Sequence, residues 1–317
     1  EQMQNSTNIE LGSHVIVAAL KACCSTSLRH GMIVHADAIQ EGFELDLFIG
    51  AMLIGVYAHY SSLKEARKVF DMLPKGNEDV AYSAMMTAYK AHNNNVESLE
   101  VFGLMQKAGI EPDNIVPLVC AAKACSNLEA MNDGKLVHCI VTEKKAESNI
   151  YAGSALIDMY VKCGSISEAC NMFERLPEKN EVTWSSMVSA FSEVNNFGLA
   201  LAYFEDMQKA GIKPNGVTFL AILSACSHAG MLSEGVEHFN SMWNEENLVV
   251  PTADHYNCLV DLLGRTGYVV EAEDLLHTMP SFPAGVACMS LLSNSRTFGN
   301  YTLSKTMFES NVCSCKL

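Results

Sequence analysis

Proline is scarce in this chain, with 8 in 317 residues beside 20 glycines, and no stretch rich in proline, glycine, serine or charge divides it. A flexible linker or a compositional domain boundary is therefore not expected. Long apolar runs are missing as well. Nothing approaches the roughly 18 consecutive apolar residues of a membrane-spanning helix, so no membrane association is predicted. From Glu1 onward there is neither a hydrophobic leader nor an Arg-rich amphipathic one, and the expectation is that the native start is not included. Positive charge is in deficit: 21 Lys and Arg against 36 Asp and Glu leave a formal charge of -15. That charge repels phosphate at long range, so nucleic-acid binding would have to rest on a local groove.

Chemistry-bearing signatures are absent too. No cysteine pair has the CxxC...CxxC or CxxC...HxxxH spacing of a tetrahedral zinc site, and Cys313 and Cys315 stand one residue apart without partners. The zinc-deaminase signature, His-x-Glu followed by Pro-Cys-x-x-Cys, does not occur, nor do a Gly-rich phosphate loop, a GxSxG elbow or HExxH. The expectation is a chain that is not an enzyme and uses no metal, cofactor or small-molecule substrate.

What is present suits a folded protein: 49% of residues are apolar and 18% charged. The 12 cysteines include Cys23, Cys24, Cys125 and Cys226, set in apolar helical stretches of a chain far longer than small stapled domains. They read as reduced, small core residues.

The dominant signal is internal repetition. AGIEPD at 108–113 returns as AGIKPN at 210–215, and DVAYSAM at 79–85 returns as EVTWSSM at 181–187, both at an offset of 102. A second series runs Ala66, Val69, Phe70, Leu73, Pro74; then Ala169, Met172, Phe173, Leu176, Pro177; then Ala272, Leu275, Leu276, Met279, Pro280, at offsets of 103. LKACC, AKACS and LSACS put Cys23, Cys125 and Cys226 at one point of each copy. His35 and His138 recur inside GMIVH and GKLVH, which assigns them to packing.

Each copy is thus a triplet of helix pairs. Trp184, Met187, Val188 and Phe191, then Ala200, Tyr203, Phe204 and Met207, mark two helices of one unit at the 3.6-residue period. Gly164 and Gly267 fall between the helices of their units, where a tight turn favours a residue without Cβ, and Pro74, Pro177 and Pro280 close second helices. One helix pair cannot bury its apolar face alone, so neighbours stack. The predicted fold is all-α, a right-handed superhelical α-solenoid with units near 13–46, 47–78, 79–113, 114–149, 150–180, 181–215, 216–252 and 253–283, then a tail at 284–317.

These residues resemble the plant pentatricopeptide repeat proteins of the PLS subclass, in which long, short and standard motifs alternate. SALIDMYVKCGSISEA (154–169) is similar to a short motif, EVTWSSMVSAF with MQKAGIKPN (181–215) to a standard one, and the AACS-like and GKLVH segments to a long one. HYNCLVDLLGRTGYVVEAEDLLHTMP (255–280) resembles the last short motif, and PAGVACMSLLSNSRTFGN (283–300) the opening of a partial, divergent E motif. In that segment Cys288 replaces the usual tryptophan and Asn294-Ser295 the usual alanine-cysteine pair.

The resemblance implies one RNA base per repeat, read by the fifth and last residues, with the second packing on the base. The implied reading pairs are Ser83 with Asp113, Ser154 with Asn180, and Ser185 with Asn215; Asn257 is a weaker reader whose repeat ends at Pro283. Serine leaves room for a purine, Asp accepts from guanine N1–H and N2–H, and the Asn amide donates to adenine N1. Leu118 cannot hydrogen-bond, Ala51 offers no polar group, and Asn77 or Glu78 ends its unit. With the RNA 5′ end at the protein N-terminus, the implied core target is 5′-GNAA-3′. Phe48, Val80, Tyr151 and Val182 would pack on bases, and Lys162 and Arg265 would neutralise phosphate. Asp113 and Asn215 are also helix-cap residue types.

The family further implies site recognition for C-to-U editing, or other processing, of mitochondrial or chloroplast transcripts. A separate deaminase or editing accessory protein would dock on the E-like end. The alternative class is a protein-binding solenoid, whose -15 charge would suit a basic peptide. The charge of the concave face separates the two.

Overall fold

The computed structural model describes residues 12–74, 79–244, 247–279 and 285–297. Among them are seventeen α-helices and no strand. In pairs, α1 (Ser13–Cys23) precedes α2 (Leu28–Gln40), α3 (Leu47–His59) precedes α4 (Leu63–Met72), α5 (Val80–Ala91) precedes α6 (Asn95–Lys107), and α7 (Val116–Leu128) precedes α8 (Met131–Glu143). Then come α9 (Ile150–Lys162) and α10 (Ile166–Arg175), α11 (Glu181–Glu193) and α12 (Phe197–Lys209), α13 (Gly216–Ala229) and α14 (Leu232–Ser241), and α15 (Ala253–Arg265) and α16 (Val269–Thr278). A single helix, α17 (Gly285–Thr297), follows. None of the described helices is long and apolar enough to cross a membrane.

Local sequence explains the turns. Gly164 and Gly267 adopt φ of 75° and 91°, the left-handed region that glycine enters without steric cost. At the same point of the first copy stands Ser61, with φ of 58°. Pro74 and Pro177 lie just past α4 and α10 and stop them; Pro280 is outside the described residues.

Packing divides the chain into two compact units, Glu1–Pro177 and Glu178–Leu317, although no change of composition marks the division. Within each unit, consecutive first helices of pairs pack on one another: α1 on α3, α3 on α5, α5 on α7 and α7 on α9 in the first, α11 on α13 and α13 on α15 in the second. Second helices pack mainly on first helices, their own and the next, and meet each other through long side chains such as Phe204 on α12 and His238 on α14. Each unit is therefore drawn together along its first-helix row and splayed along its second-helix row. This is the stacking of an all-α repeat solenoid.

The core follows the repeat. Ala66, Val69, Phe70 and Leu73 are buried in the first copy, as are Ala169, Met172, Phe173 and Leu176 in the second. Gly50 and Gly153 face the closing leucines: a Cβ at either would lie 2.5 Å or less from Leu73 or Leu176. In the third copy Tyr256 takes this place and its ring stands 5.2 Å from that of Phe239. The buried thiols are unreactive. Burial pushes Cys125 and Cys258 up to about 12 and Cys226 to about 11, so all three are protonated thiols at neutral pH. Cys313 and Cys315 lie outside the described residues.

The recurring histidines tie one pair to the next. His35 Nδ1 is 2.8 Å from Tyr57 Oη, and His138 Nδ1 is 2.6 Å from Tyr160 Oη. Burial lowers the pKa of His35, and also that of His238, which packs on Phe204. A histidine whose folded pKa lies below its unfolded value, about 6.5, stabilises the fold above that value and loses the contribution as pH falls through it. Tm is therefore expected to drop as pH is lowered from 7.5 to 5, and the drop should flatten in the double variant His35→Gln, His238→Gln, as thermal melts at stepped pH would measure.

Candidate nucleic-acid interface

In repeat 181–215 the structure joins the fifth and last residues through a residue of the next repeat. Asn215 caps α13: its Oδ1 accepts from Thr218 N at 2.9 Å and from Thr218 Oγ1 at 3.0 Å. Ser185 Oγ lies 2.7 Å from the same Thr218 Oγ1. Asn215 Nδ2 donates to Glu181 Oε1. The helix cap and a second contact thus coincide on one side chain. The reason is chemical, since an amide that caps through its oxygen still carries a donor on its nitrogen.

In repeat 79–113 the last residue is held differently. Asp79, only 2% exposed, accepts at Oδ2 from Asp113 N at 3.1 Å, Asn114 N at 3.4 Å and Asn114 Nδ2 at 3.0 Å. The Asp113 side chain itself is exposed. No hydroxyl takes the part of Thr218, because Val116 stands at that point, and Ser83 Oγ is shielded from water without a partner among the described residues. Asn257 Oδ1, at the fifth position of its repeat, is unpartnered in the same way.

Ser154 is 8% exposed and donates back to Ile150 O, and Asn180 caps α11 by accepting from Thr183 N at 2.9 Å. These two belong to different compact units, so each is described by itself. Asn77, Glu78 and Pro283 fall outside the described residues, as do the tail residues beyond Thr297. Of the E-like segment, α17 packs on α15 and buries Cys288 among Val260, Val269 and Leu291. Here Cys288 is a core residue.

Large apolar side chains stand exposed at the start of the first helices. Phe48 is 57% exposed, Tyr151 68% and Val182 55%, whereas Val80 is half-buried. Sequence reasoning missed Val217, 60% exposed at the second position of its repeat. The spacing of 35 between Asn180 and Asn215 would have found it from Val182. Asp254 interrupts the row on α15.

Charge separates by row. The first helices α1 to α15 hold five cations (Lys21, Lys90, Lys123, Lys162, Arg265) and five carboxylates (Asp158, Glu181, Glu193, Asp254, Asp261). The second helices α2 to α16 hold 16 carboxylates against 8 cations. Much of the net negative charge therefore sits on the splayed side. In the first unit, the first helices carry four lysines and only Asp158.

Lys162 and Arg265 do not stand alone. Asp158 accepts from Ser126 at 2.7 Å and Lys123 at 2.8 Å, with Lys162 3.8 Å away. Asp261, 103 residues on, pairs with Arg265 at 2.6 Å and accepts from Ser227 at 2.6 Å and from Ser290. Burial pushes the Asp158 carboxyl up, but the Lys123 and Ser126 hydrogen bonds and the lysine charges outweigh it, and it titrates below the usual carboxylate range. Asp261 does likewise, burial being outweighed by Ser227, Ser290 and Arg265. The first copy has Gly55, His59 and Cys24 at the same points. There, between α3 and α5, a groove of about 550 Å³ is lined by Gly55, His59, Ser83 and Thr87.

A stack of helix pairs with a continuous first-helix row within each unit defines a helical repeat protein of the α-solenoid class. The PPR repeat model matches residues 80–110, 154–181, 217–246 and 254–282, and a PPR repeat family model matches 179–228. The chain belongs to the pentatricopeptide repeat family. It is 37% identical over 308 residues to the Arabidopsis thaliana pentatricopeptide repeat-containing protein At3g16610, covering 95% of this chain and 46% of that protein. It is 32% identical, over 95% of this chain and 46% of the relative, to the Arabidopsis thaliana protein CRR2, chloroplastic. The chain spans 40% of the length of another relative, At5g27110 of the same plant, at 35% identity over 87% of this chain. Its fold matches the crystal structure of pentatricopeptide repeat protein PPR10 in complex with an 18-nt psaJ RNA element, at a TM-score of 0.79 over 99% of this chain and 46% of that one, with 15% identity.

Proposed function

We propose that this chain binds single-stranded RNA along its first-helix rows, one base per repeat, with 5′-GNAA-3′ as the core of the target. The observation that carries the reading is the row of exposed apolar residues beside fifth-position polar atoms, two of them, Ser83 Oγ and Asn257 Oδ1, left without partners. A buried polar atom without a partner costs roughly 1–3 kcal/mol, which a base entering the groove would relieve. Exposed Tyr151 and Phe48 offer stacking faces, worth about 1–3 kcal/mol per base. The balanced charge of the first helices removes the main objection raised by the net charge of -15 and weakens the case for a basic peptide as the ligand.

Within that reading, the chain serves as the recognition part of a C-to-U editing or processing factor for organellar transcripts, with the deaminase acting in trans. The family resemblance motivates it, and the relative whose name carries "chloroplastic" supports its organellar part. Selection from a short single-stranded RNA library at low salt tests the core: enrichment of G-N-A-A is expected, and enrichment of no RNA overturns it.

Binding should weaken with salt. The log of the binding constant is expected to fall by about 0.7 per phosphate neutralised for each unit of log salt. Lys162→Gln and Arg265→Gln should each reduce that slope by about 0.7 for every RNA sequence alike, as titrations across a salt series would measure.

A further inference from the structure

Repeat 181–215 contains a hydrogen-bond chain whose last bond has a direction fixed by the chemistry of its end. Glu181 carries an acceptor-only carboxylate, so Asn215 must present Nδ2 to it. Asn215 Oδ1 then faces Thr218, whose backbone N–H can only donate and whose hydroxyl donates its one hydrogen to the same oxygen. Between Ser185 Oγ and Thr218 Oγ1 either hydroxyl can donate; with the Thr218 hydrogen placed on Asn215 Oδ1, Thr218 Oγ1 accepts from Ser185. The relay runs Ser185 to Thr218 to Asn215 to Glu181. It leaves Ser185 with lone pairs alone and Asn215 with one unused N–H.

An acceptor at the fifth residue and a donor at the last match the Watson–Crick edge of adenine, which offers an N6–H donor and an N1 acceptor. Guanine offers an O6 acceptor and an N1–H donor, the reverse. Two comparisons inside the chain support the point. Repeat 150–180 begins with Ile150, whose side chain has no acceptor. Repeat 79–113 has an acidic first residue, but Asp79 grips the backbone of Asp113 and Asn114, and Ser83 is outside any relay.

We propose that Glu181 is a positioning residue for base discrimination: by ending the Ser185–Thr218–Asn215 relay on a carboxylate, it sets repeat 181–215 to read adenine and reject guanine. The inference rests on the RNA-binding reading and adds to it a residue outside the fifth and last positions.

The test uses the whole chain and two RNA panels, one varying the base read by Asn215 and one the base read by Asn180. For Glu181→Ala the adenine-over-guanine ratio at the Asn215 base is expected to fall about fivefold, the worth of one hydrogen bond, with no change at the Asn180 base. Glu181→Gln keeps an acceptor and should hold the ratio near wild type. An unchanged ratio in Glu181→Ala, equal losses at both bases, or Gln behaving as Ala would each overturn the proposal. Thr218→Val, nearly isosteric, should lower the same ratio by breaking the relay in its middle. The side-chain amide resonances of Asn215, read without RNA, give a separate check. They should move toward free-amide values in Glu181→Ala and stay in Glu181→Gln; a clamp seen there with no RNA bound by wild type would sink the RNA reading and leave the clamp standing.

Discussion

Replacing Asn180 by Asp is expected to turn the third base of the bound RNA from adenine to guanine, with a swing of about tenfold or more in relative affinity. The physical reason is the loss of the only donor at that position: a carboxylate accepts from guanine N1–H and N2–H but leaves adenine N1 facing another acceptor. An unpaired polar group on each side costs roughly 1–3 kcal/mol, and about 1.4 kcal/mol is a factor of ten. The fold should tolerate the change, because Asp caps a helix as well as Asn does and Thr183 N keeps its acceptor. Asn215→Asp should move the fourth base in the same direction but with weaker overall binding, since Glu181 would then face a second carboxylate. Binding titrations against the four bases at each position measure both, and a preference that stays with adenine in Asn180→Asp would refute the assignment of that residue as a reader.

The largest effect on stability is expected from Phe204→Ala, a loss of about 3–5 kcal/mol. Phe204 is 1% exposed on α12, and its ring lies 5.6 Å from Phe219 on α13 and 5.1 Å from His238 on α14. It therefore joins two consecutive repeats. Truncation leaves a cavity that the surrounding helices fill only in part, and in a solenoid the coupling between neighbours is what makes them melt together. Urea denaturation followed by circular dichroism should show a lower midpoint and a broader transition. A midpoint within error of wild type would mean that the helices collapse onto the gap.

How much of this was legible beforehand depends on the scale at which the information lies. The offsets of 102 and 103 located every helix pair, because stacked repeats need the same apolar residues at the same places. Gly164 and Gly267 could be assigned to turns because left-handed backbone strongly favours glycine; Ser61, in the same conformation, carried no such mark. Val217 was available through the spacing of 35 between Asn180 and Asn215 and passed over. Lys162 and Arg265 were recognisable as cations, and Asp158 and Asp261 stand four residues before them; the contacts those carboxylates take from Lys123, Ser126, Ser227 and Ser290 were not legible, because they come from other helices.

The sequence by itself determined the all-helical class, the repeat period, the core positions and the chemical identity of the fifth and last residues of each repeat. Those are properties of composition and spacing along one chain, and burial of a periodic apolar face leaves little choice about them. Only the tertiary structure decided that Ser185, Thr218, Asn215 and Glu181 are joined, that Ser83 has no partner among the described residues, and that much of the acidic charge stands on the second helices. Each of these depends on groups some thirty residues apart meeting across a helix interface, or on which row of helices faces inward.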